Sequence, residues 1–134
     1  MTVRHQPFQT LQIAEAVLEI APDGSSVLPL LRFPEGSMAR FEFASGQVSH
    51  AVLHPGLDEL WYVVDGSGEM WRRQETRSSI EPLMSGSCAS IPRETAFQCR
   101  AGPAGLTVIA VTLPAWSGAA DAIGATGPWV TNPD

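Results

Sequence analysis

The fold of this chain is constrained most by a series of short β-rich runs. The runs recur from about Ser26 to Thr112, and clusters of Gly, Pro and Ser separate them. In chain order they read SVLPLL, SMARFEF, QVSHAVL, ELWYVVD, GEMWRRQ, SSIEPLM, SCASIP, TAFQCRA and LTVIAVTL. Runs of this length and spacing are typical of an antiparallel sandwich or barrel. The sequence therefore predicts an all-β protein.

Three chain reversals can be placed between these runs. The segment Asp65-Gly66-Ser67-Gly68 predicts a hairpin, because Asp-Gly supplies the positive φ that a tight reversal needs. A second reversal is expected near Pro92, and a third at Gly102-Pro103-Ala104-Gly105.

The two ends of the chain are expected to be arms on one central domain. A chain of 134 residues fits a single domain, with a barrel core over about 26–114 and arms at 1–25 and 115–134. The first arm contains a candidate helix from Thr10 to Ile20, because its apolar residues follow helical spacing before Pro22-Asp23-Gly24 ends it. Without that helix the segment is a simple arm.

The C-terminal arm is rich in Gly and Ala but carries Trp116 and Trp129. Tryptophan at both ends indicates an arm that packs onto the barrel or onto a partner subunit. A disordered tail with stray aromatic residues is the alternative from composition.

Two segments with characteristic spacing lie inside the β-rich region. The first runs from Gly46 to Gly66 with the spacing Gly-x5-(His)-x-His-x4-Glu-x6-Gly, in which Val52 takes the first histidine position and His54 and Glu59 match. It resembles the first signature motif of the cupin superfamily. The segment ELWYVVDGSGEMWRR, which starts at Glu59, is similar to the corresponding segment of small single-domain bacterial cupins.

The second segment begins at Gly86 and corresponds to the second cupin motif, Gly-x5-Pro-x-Gly-x2-His. Pro92 is in register, whereas Glu94 replaces the glycine and Phe97 replaces the histidine. The resemblance implies a double-stranded β-helix, the jelly-roll barrel of cupins. It covers most of the chain from Ser37 to Pro114.

The resemblance also implies a degenerate metal site. Cupins that use a metal usually hold it with three histidines and one glutamate, and only His54 and Glu59 stand in those positions here. We expect no standard metal centre. The alternative is a weakly held Fe, Mn, Ni or Zn ion whose remaining positions are filled by water or substrate.

His50 is a candidate replacement for the missing ligand. In a strand, His50, Val52 and His54 point the same way, into the barrel if the cupin register holds. The Cα atoms of the two histidines would nevertheless be about 13 Å apart, which is too far for one ion. On a helix His50 and His54 would share a face, but Gly46 and Pro55-Gly56 around them favour a strand.

His54 and Glu59 are the candidate catalytic residues. A glutamate among Val52, Trp61 and Phe97 would be desolvated, so its pKa would rise toward neutrality and suit proton transfer. The alternative is that His54 and Glu59 form a buried polar pair with a structural role.

The remaining candidate residues would line a ligand pocket. Trp61 and Phe97 share the inward register with Glu59, and an apolar cavity with a few polar groups is typical of small-molecule sites. Arg40 and Gln98 are polar residues on strands that could lie at the mouth. The candidate ligand-binding set is Arg40, His50, Val52, Trp61, Phe97 and Gln98.

Composition excludes some classes of partner. The net charge is −6, and the eight Lys and Arg residues form no cluster, so nucleic acid is not an expected partner. The chain has no apolar run that could cross a bilayer and no leader pattern, which predicts a cytoplasmic protein. Cys88 and Cys99 are expected to be reduced thiols, although a bridge between neighbouring strands is conceivable.

Three functions remain open from the sequence. The first is a cupin protein that binds a small organic molecule without a standard metal, with proton transfer by Glu59 as a variant. The second is a metal-dependent enzyme of dioxygenase or isomerase type that uses His54 and Glu59. The third is an interaction module that joins subunits through its sheet faces and its tail, residues 116–134. All three permit a homodimer.

Overall fold

The structure is a computed structural model that describes residues 5–118 and 121–131. Within those residues the chain forms mainly strands, with a 3₁₀ turn at Ile13–Glu15. The strands are β1 (Glu19–Ile20), β2 (Ser26–Phe33), β3 (Gly36–Phe43), β4 (Val52–Leu53), β5 (Asp58–Gln74), β6 (Arg77–Met84), β7 (Cys88–Ile91), β8 (Ala96–Leu113) and β9 (Ile123–Gly124). The all-β prediction is confirmed.

All strand pairs are antiparallel and belong to one curled sheet. The order β1-β2-β3-β8-β4-β9 runs along one path, and β5 pairs with β6, β7 and β8. The two longest strands, β5 and β8, stay paired from Asp58 opposite Leu113 to Arg73 opposite Ala96. Because both strands bend together, they connect the two layers that enclose the core.

The predicted hairpin at 65–68 is wrong, and so is the predicted reversal at 102–105. Both segments lie inside continuous strands, where the β5–β8 pairing shifts register between Val63 and Asp65 and again between Gly66 and Gly68. Gly66 has a φ of 84°, and a Cβ there would lie 2.1 Å from the Gly105 carbonyl oxygen. The positive φ serves a bend with close backbone approach, not a reversal.

The reversal near Pro92 is confirmed. β7 ends at Ile91 and β8 starts at Ala96, and the Thr95 N–H donates to the Pro92 carbonyl at 3.1 Å. Glu94 has a φ of 66°, so it adopts the conformation that the glycine of the cupin motif would supply.

A further tight turn joins β5 to β6 between Gln74 and Arg77, where Glu75 has a φ of 53°. Glutamate is not a typical residue for this conformation, so the sequence did not mark the turn.

The predicted helix over Thr10–Ile20 does not form. The segment is an arm with a 3₁₀ turn at Ile13–Glu15, after which β1 pairs with β2. Val17 and Leu18 are 74% and 57% exposed, so the apolar stripe has no surface to pack against. A helix this short needs such packing to be stable in water.

The core lies between the layers and is built from inward-facing, alternate strand residues. Its largest members are Phe41, Phe43, Trp61, Val63, Met70, Phe97, Leu106 and Val108. A smaller cluster of Ala51, Trp71 and Ala96 lies on the outer side, where Trp129 packs against it.

Residues 121–131, here called the C-terminal strap, pack along the barrel. β9 pairs with β4, and the Ala125 N–H donates to the Ala51 carbonyl at 2.9 Å. The Gln98 amide donates to the Trp129 carbonyl at 2.8 Å and accepts from the Trp129 N–H at 3.1 Å. The prediction of an arm on the barrel is confirmed for these residues, while 119–120 and 132–134 lie outside the described residues.

The two cysteines are free thiols, as expected. Cys88 is exposed and Cys99 is buried. In the part of the chain that the structure describes, helices of the length and apolar character needed to span a bilayer are absent.

Candidate functional site

The structure brings His54 and Glu59 together inside the barrel. His54 follows β4 directly, Glu59 is the second residue of β5, and they are 7% and 5% exposed. The His54 Nε2 atom lies 3.7 Å from the Glu59 Oε1 atom. This separation exceeds a hydrogen bond but leaves both atoms able to contact one atom placed between them.

Glu59 is a buried acid whose pKa lies near neutral pH. Trp61, two residues further along β5 and therefore on the same face, donates its indole N–H to the Glu59 Oε2 atom. Burial raises the pKa of Glu59 to about 7, with a smaller rise from Asp23, while the Trp61 hydrogen bond acts in the opposite direction. Glu59 can therefore both donate and accept a proton near neutral pH.

His54 is oriented by a second carboxylate. The Asp121 Oδ2 atom lies 3.3 Å from His54 Nδ1. Burial lowers the pKa of His54, and Asp121 opposes this effect by favouring the charged ring. A carboxylate at Nδ1 favours the tautomer with the proton on Nδ1, so the Nε2 lone pair faces Glu59.

Asp23 is a third acidic residue beside this pair. It lies in the turn between β1 and β2 and is 5% exposed, with its Oδ1 atom accepting the N–H and hydroxyl of Ser25 at 2.9 and 2.5 Å. Burial raises the pKa of Asp23, while the Ser25 bonds and the charges of His54 and His50 lower it.

Sequence reasoning missed both Asp23 and Asp121. Asp23 looked only like a turn residue at the end of a helix, and Asp121 lies in a segment of low complexity. A buried Asx turn with Ser25 two residues on was the one local signal available for Asp23. No local pattern marks Asp121, because only the docking of the C-terminal strap places it at His54.

A small cavity opens onto His54 and Glu59. Its free volume is about 20 Å³, which is enough for about one water molecule. The cavity is lined by Ala21, Pro22, Asp23, Ser37, Ala39, Phe41, Val52, His54, Glu59, Trp61, Phe97, Ala110, Thr112 and Trp116. Three of the predicted ligand-binding residues, Val52, Trp61 and Phe97, are therefore in the cavity wall beside His54 and Glu59.

Aromatic rings form much of this wall. Phe41 and Trp61 are stacked with centroids 6.1 Å apart and planes inclined by 17°. Phe97 meets Trp61 edge to face at 6.2 Å and 83°, and its ring centroid is 6.0 Å from that of His54. The polar groups are thus surrounded by apolar surface, which accounts for their desolvation.

Arg40 and Gln98 do not lie where the sequence suggested. On β3 the neighbours Ala39 and Phe41 are buried, so Arg40 points outward, where its Nε pairs with Glu42 Oε1 at 3.1 Å. Gln98 is 1% exposed, but it points away from the cavity and holds Ser49 and the C-terminal strap. Neither contacts the His54–Glu59 pair.

His50 is also apart from the site. The chain from Ala44 to Ala51 is not a regular strand, so the expected alternation of His50 with Val52 and His54 is broken. His50 is exposed, and its N–H donates to the Asp23 carbonyl at 2.7 Å. It touches the site only through the Asp23 turn.

The donor atoms do not fit a four-ligand metal centre. Val52 and Phe97 present carbon atoms where the cupin motif has imidazole nitrogens, and they line the cavity beside His54 and Glu59. Within residues 5–118 and 121–131, no group of three His, Cys, Asp or Glu side chains is arranged to hold an ion. His54 Nε2 and Glu59 Oε1 converge at 3.7 Å.

Comparisons with solved structures agree on the architecture. KdgF from a Halomonas species superposes with a TM-score of 0.72 at 20% identity, covering 83% of this chain and 97% of that one. An uncharacterised protein with a double-stranded β-helix domain from Klebsiella pneumoniae gives 0.69 at 17% identity, covering 90% and 100%. Oxalate decarboxylase from Bacillus subtilis gives 0.76 at 13% identity, covering 90% of this chain.

The sequence itself matches no model of a protein family and no curated protein. This chain covers 33% of the length of oxalate decarboxylase and 97% of the length of KdgF. The fold is that of a small single-domain cupin, a double-stranded β-helix, which confirms the expectation from the two motifs.

Proposed function

We propose that this cupin-fold protein binds a small organic molecule inside the barrel and exchanges a proton with it through Glu59, without a three-histidine, one-glutamate metal centre. The proposal is carried by one observation. A glutamate that is 5% exposed and has its pKa raised to about 7 faces His54 Nε2 across 3.7 Å. A buried structural pair would gain more from a direct hydrogen bond than from this gap.

The arrangement gives each residue a role in proton transfer. Glu59 takes or gives a proton at a ligand atom that lies between Oε1 and Nε2. His54 handles the second proton through Nε2, and Asp121 stabilises the imidazolium that this step creates. Trp61 fixes the Glu59 carboxyl group. Isomerisation by proton removal and return is the simplest reaction that such a pair supports.

The charge of the site also restricts the ligand. Asp23, Glu59 and Asp121 surround one histidine, so a small dianion would meet repulsion rather than a counter-charge. Oxalate, on which one of the structural neighbours acts according to its name, does not match this environment. A neutral or cationic ligand does.

Ligand-observed NMR with a library of small organic fragments tests the proposal. Wild type is compared with Ala110→Leu, which adds bulk to the cavity wall, and with Thr107→Leu, which adds bulk on the same strand but outside the cavity. We expect fragments that bind wild type and Thr107→Leu but are lost in Ala110→Leu. The proposal would be contradicted if the fragments bound Ala110→Leu as well as they bind wild type, or if no fragment bound wild type at millimolar concentration.

A metal-dependent enzyme with a reduced ligand set is the second candidate. Two features favour it: His54 Nε2 and Glu59 Oε1 converge, and the other ring nitrogen faces a carboxylate, as is usual for metal-bound histidines. Elemental analysis of protein purified without a polyhistidine tag, beside His54→Ala, separates the two. Near-stoichiometric Fe, Mn, Ni or Zn that vanishes in His54→Ala would support the second candidate, and metal-free protein would contradict it.

A homodimer is proposed as the assembly. Met38, Leu60 and Tyr62 lie on the outer face of the sheet and are 43%, 51% and 51% exposed, and contact with a second copy would remove this apolar surface from water. Light scattering on a size-exclusion column at micromolar concentration gives the mass directly. A monomer mass would remove this part of the proposal and leave the interior site unaffected.

A further inference from the structure

We propose that the ligand of the interior site is a small organic ammonium ion that enters past Trp116. This inference rests on the proposed function, because it names the class of molecule that occupies the same cavity. It is carried by the acceptors of the cavity, by its aromatic wall and by the position of Trp116.

Two carboxylates in the cavity wall have unused acceptor atoms. Asp23 and Glu59 are each 5% exposed. The Ser25 bonds occupy one oxygen of Asp23, and the Trp61 indole occupies one oxygen of Glu59. Among residues 5–118 and 121–131, no hydrogen bond reaches the second oxygen of either side chain.

The cavity contains no permanent positive charge to balance these acids. None of the described residues in its wall is Lys or Arg, and its one basic side chain, His54, has a pKa that burial lowers. Buried carboxylates are normally paired, and a ligand with a positively charged nitrogen would supply the missing partner.

The aromatic wall suits the same ligand. Phe41, Trp61, Phe97 and Trp116 all line the cavity. The planes of Trp61 and Phe97 are nearly perpendicular, at 83°, so rings approach the cavity from more than one direction. Aromatic rings combined with carboxylates are the usual way to recognise alkylated ammonium groups, because the ring faces attract a cation without hydrogen bonds.

Trp116 separates the cavity from an outer groove. Trp116, Ser37 and Ala39 line both the cavity of about 20 Å³ and a groove of about 210 Å³ that also touches Leu30, Arg32 and Gly118. The Trp116 N–H donates to the Ser37 hydroxyl at 2.9 Å, and its carbonyl accepts from Arg32 at 3.3 Å. These bonds hold the backbone, so a swing of the half-buried indole alone would join the two spaces. An organic ammonium ion would occupy the joined space, because the cavity alone has room for about one water molecule.

The groups that surround Glu59 are acidic or uncharged apart from His54. The titratable groups that face it are His54 after β4, Asp23 in the β1–β2 turn and, through His54, Asp121. β8 contributes only the uncharged Phe97, Ala110 and Thr112 among the described lining residues. A cation bound there would therefore face carboxylates from β5 and from the β1–β2 turn.

Three probes of nearly equal shape test the inference: choline, its uncharged carbon isostere 3,3-dimethylbutan-1-ol, and the anion 3,3-dimethylbutanoate. NMR titrations are run in phosphate buffer, which lacks amines. At pH 8 we expect choline to bind at least tenfold more tightly than the alcohol, with no detectable binding of the anion.

Variants locate the effect. Glu59→Gln should remove most of the choline preference, because the amide carries no negative charge. Glu69→Gln is the matched control, because Glu69 lies on the same strand but pairs with Arg100 outside the barrel. Trp116→Ala should speed exchange of choline, since it removes the indole that separates cavity and groove.

The outcomes distinguish this inference from the proposed function. Equal binding of choline and the alcohol would overturn the ammonium inference and leave small-molecule binding in the barrel intact. If neither probe binds wild type or Trp116→Ala, the ammonium inference also fails, and the fragment screen with Ala110→Leu decides the proposed function separately. Choline binding that Glu59→Gln leaves unchanged would place the cation elsewhere and overturn the inference.

Discussion

Val52 on β4 lies directly opposite Phe97 on β8, so the two positions that lack the expected histidines are paired neighbours. They form one apolar wall against which Trp61 and His54 pack. The centroid of the Phe97 ring lies 6.2 Å from that of Trp61 and 6.0 Å from that of His54. The two departures from the cupin motifs are therefore one structural change. They replace two ligands with a continuous apolar surface beside Glu59.

The double substitution Val52→His and Phe97→His should create a metal site. Both new imidazoles would enter the cavity that already holds His54 Nε2 and Glu59 Oε1, giving three nitrogens and one oxygen. We expect one equivalent of Co²⁺ to bind at micromolar concentration or below, and its visible absorption spectrum to report the geometry.

The same double variant with His54→Ala is the control, and it should lose most of this affinity. Failure of the double variant to bind Co²⁺ while it remains folded would mean that the barrel is too tightly packed for the new side chains. It would then contradict the view that Val52 and Phe97 alone prevent metal binding.

Glu59→Gln should change how stability depends on pH. In wild type the folded protein keeps the Glu59 proton up to about pH 7, whereas the unfolded chain releases it near 4.5. The free energy of unfolding therefore falls as pH rises from about 4.5 to about 7, by roughly 3 kcal/mol at about 1.4 kcal/mol per pH unit. Glutamine cannot ionise and should remove this loss.

The measurement is chemical denaturation of both proteins at several pH values. Glu59→Gln should gain stability relative to wild type between pH 5 and pH 8, with little further gain above. His54, whose pKa is lowered by burial, contributes in both proteins, so the difference isolates Glu59. A difference that stays constant across this range would show that Glu59 has an ordinary pKa.

The fold was predictable because several motif residues are the ones that particular backbone conformations of the barrel favour. Gly46 and Pro92 mark chain geometry that the sheet imposes on any sequence, and His54 with Glu59 retained the spacing that brings them together. The bends at Gly66 and Gly105 were misread as turns, since a positive φ allows either and only the pairing of β5 with β8 decides. Local patterns carry no information about such long-range pairing.

The candidate site was predictable only in its centre. The resemblance to the cupin motif implied His54 and Glu59, and strand alternation added Trp61 and Phe97 on the face of Glu59. Asp23 and Asp121 come from the segments before β2 and after β8, and their positions depend on how these segments dock. Gln98 shows the same limit, because its partners lie in the loop at Ser49 and on the C-terminal strap.

Glu94→Gly should stabilise the protein. Glu94 has a φ of 66°, a conformation that costs a residue with a Cβ about 1 kcal/mol and costs glycine almost nothing. The greater flexibility of glycine in the unfolded chain offsets part of the gain. We expect a net increase of about 0.5 kcal/mol in the free energy of unfolding by denaturant titration.

Glu35→Gly is the matched control, since Glu35 is also an exposed turn glutamate but has no positive φ. It should be neutral or destabilising. Equal effects of the two substitutions would trace the change to the lost charge and contradict the backbone argument at Glu94.

Gln98→Met should release the C-terminal strap. The substitution keeps the shape of the side chain but removes its bonds to the Ser49 carbonyl at 2.9 Å and to the Trp129 carbonyl and N–H at 2.8 and 3.1 Å. Because these groups are largely buried, we expect a loss of about 3 kcal/mol. Hydrogen exchange of the Ala125 and Trp129 amides should rise before that of the barrel strands.

Gln74→Met removes one bond, to Thr95 at 3.1 Å, and leaves the strap untouched, so it controls for the loss of a glutamine. Equal protection of both strap amides in the two variants would show that the strap is held by β9 and the Trp129 ring instead.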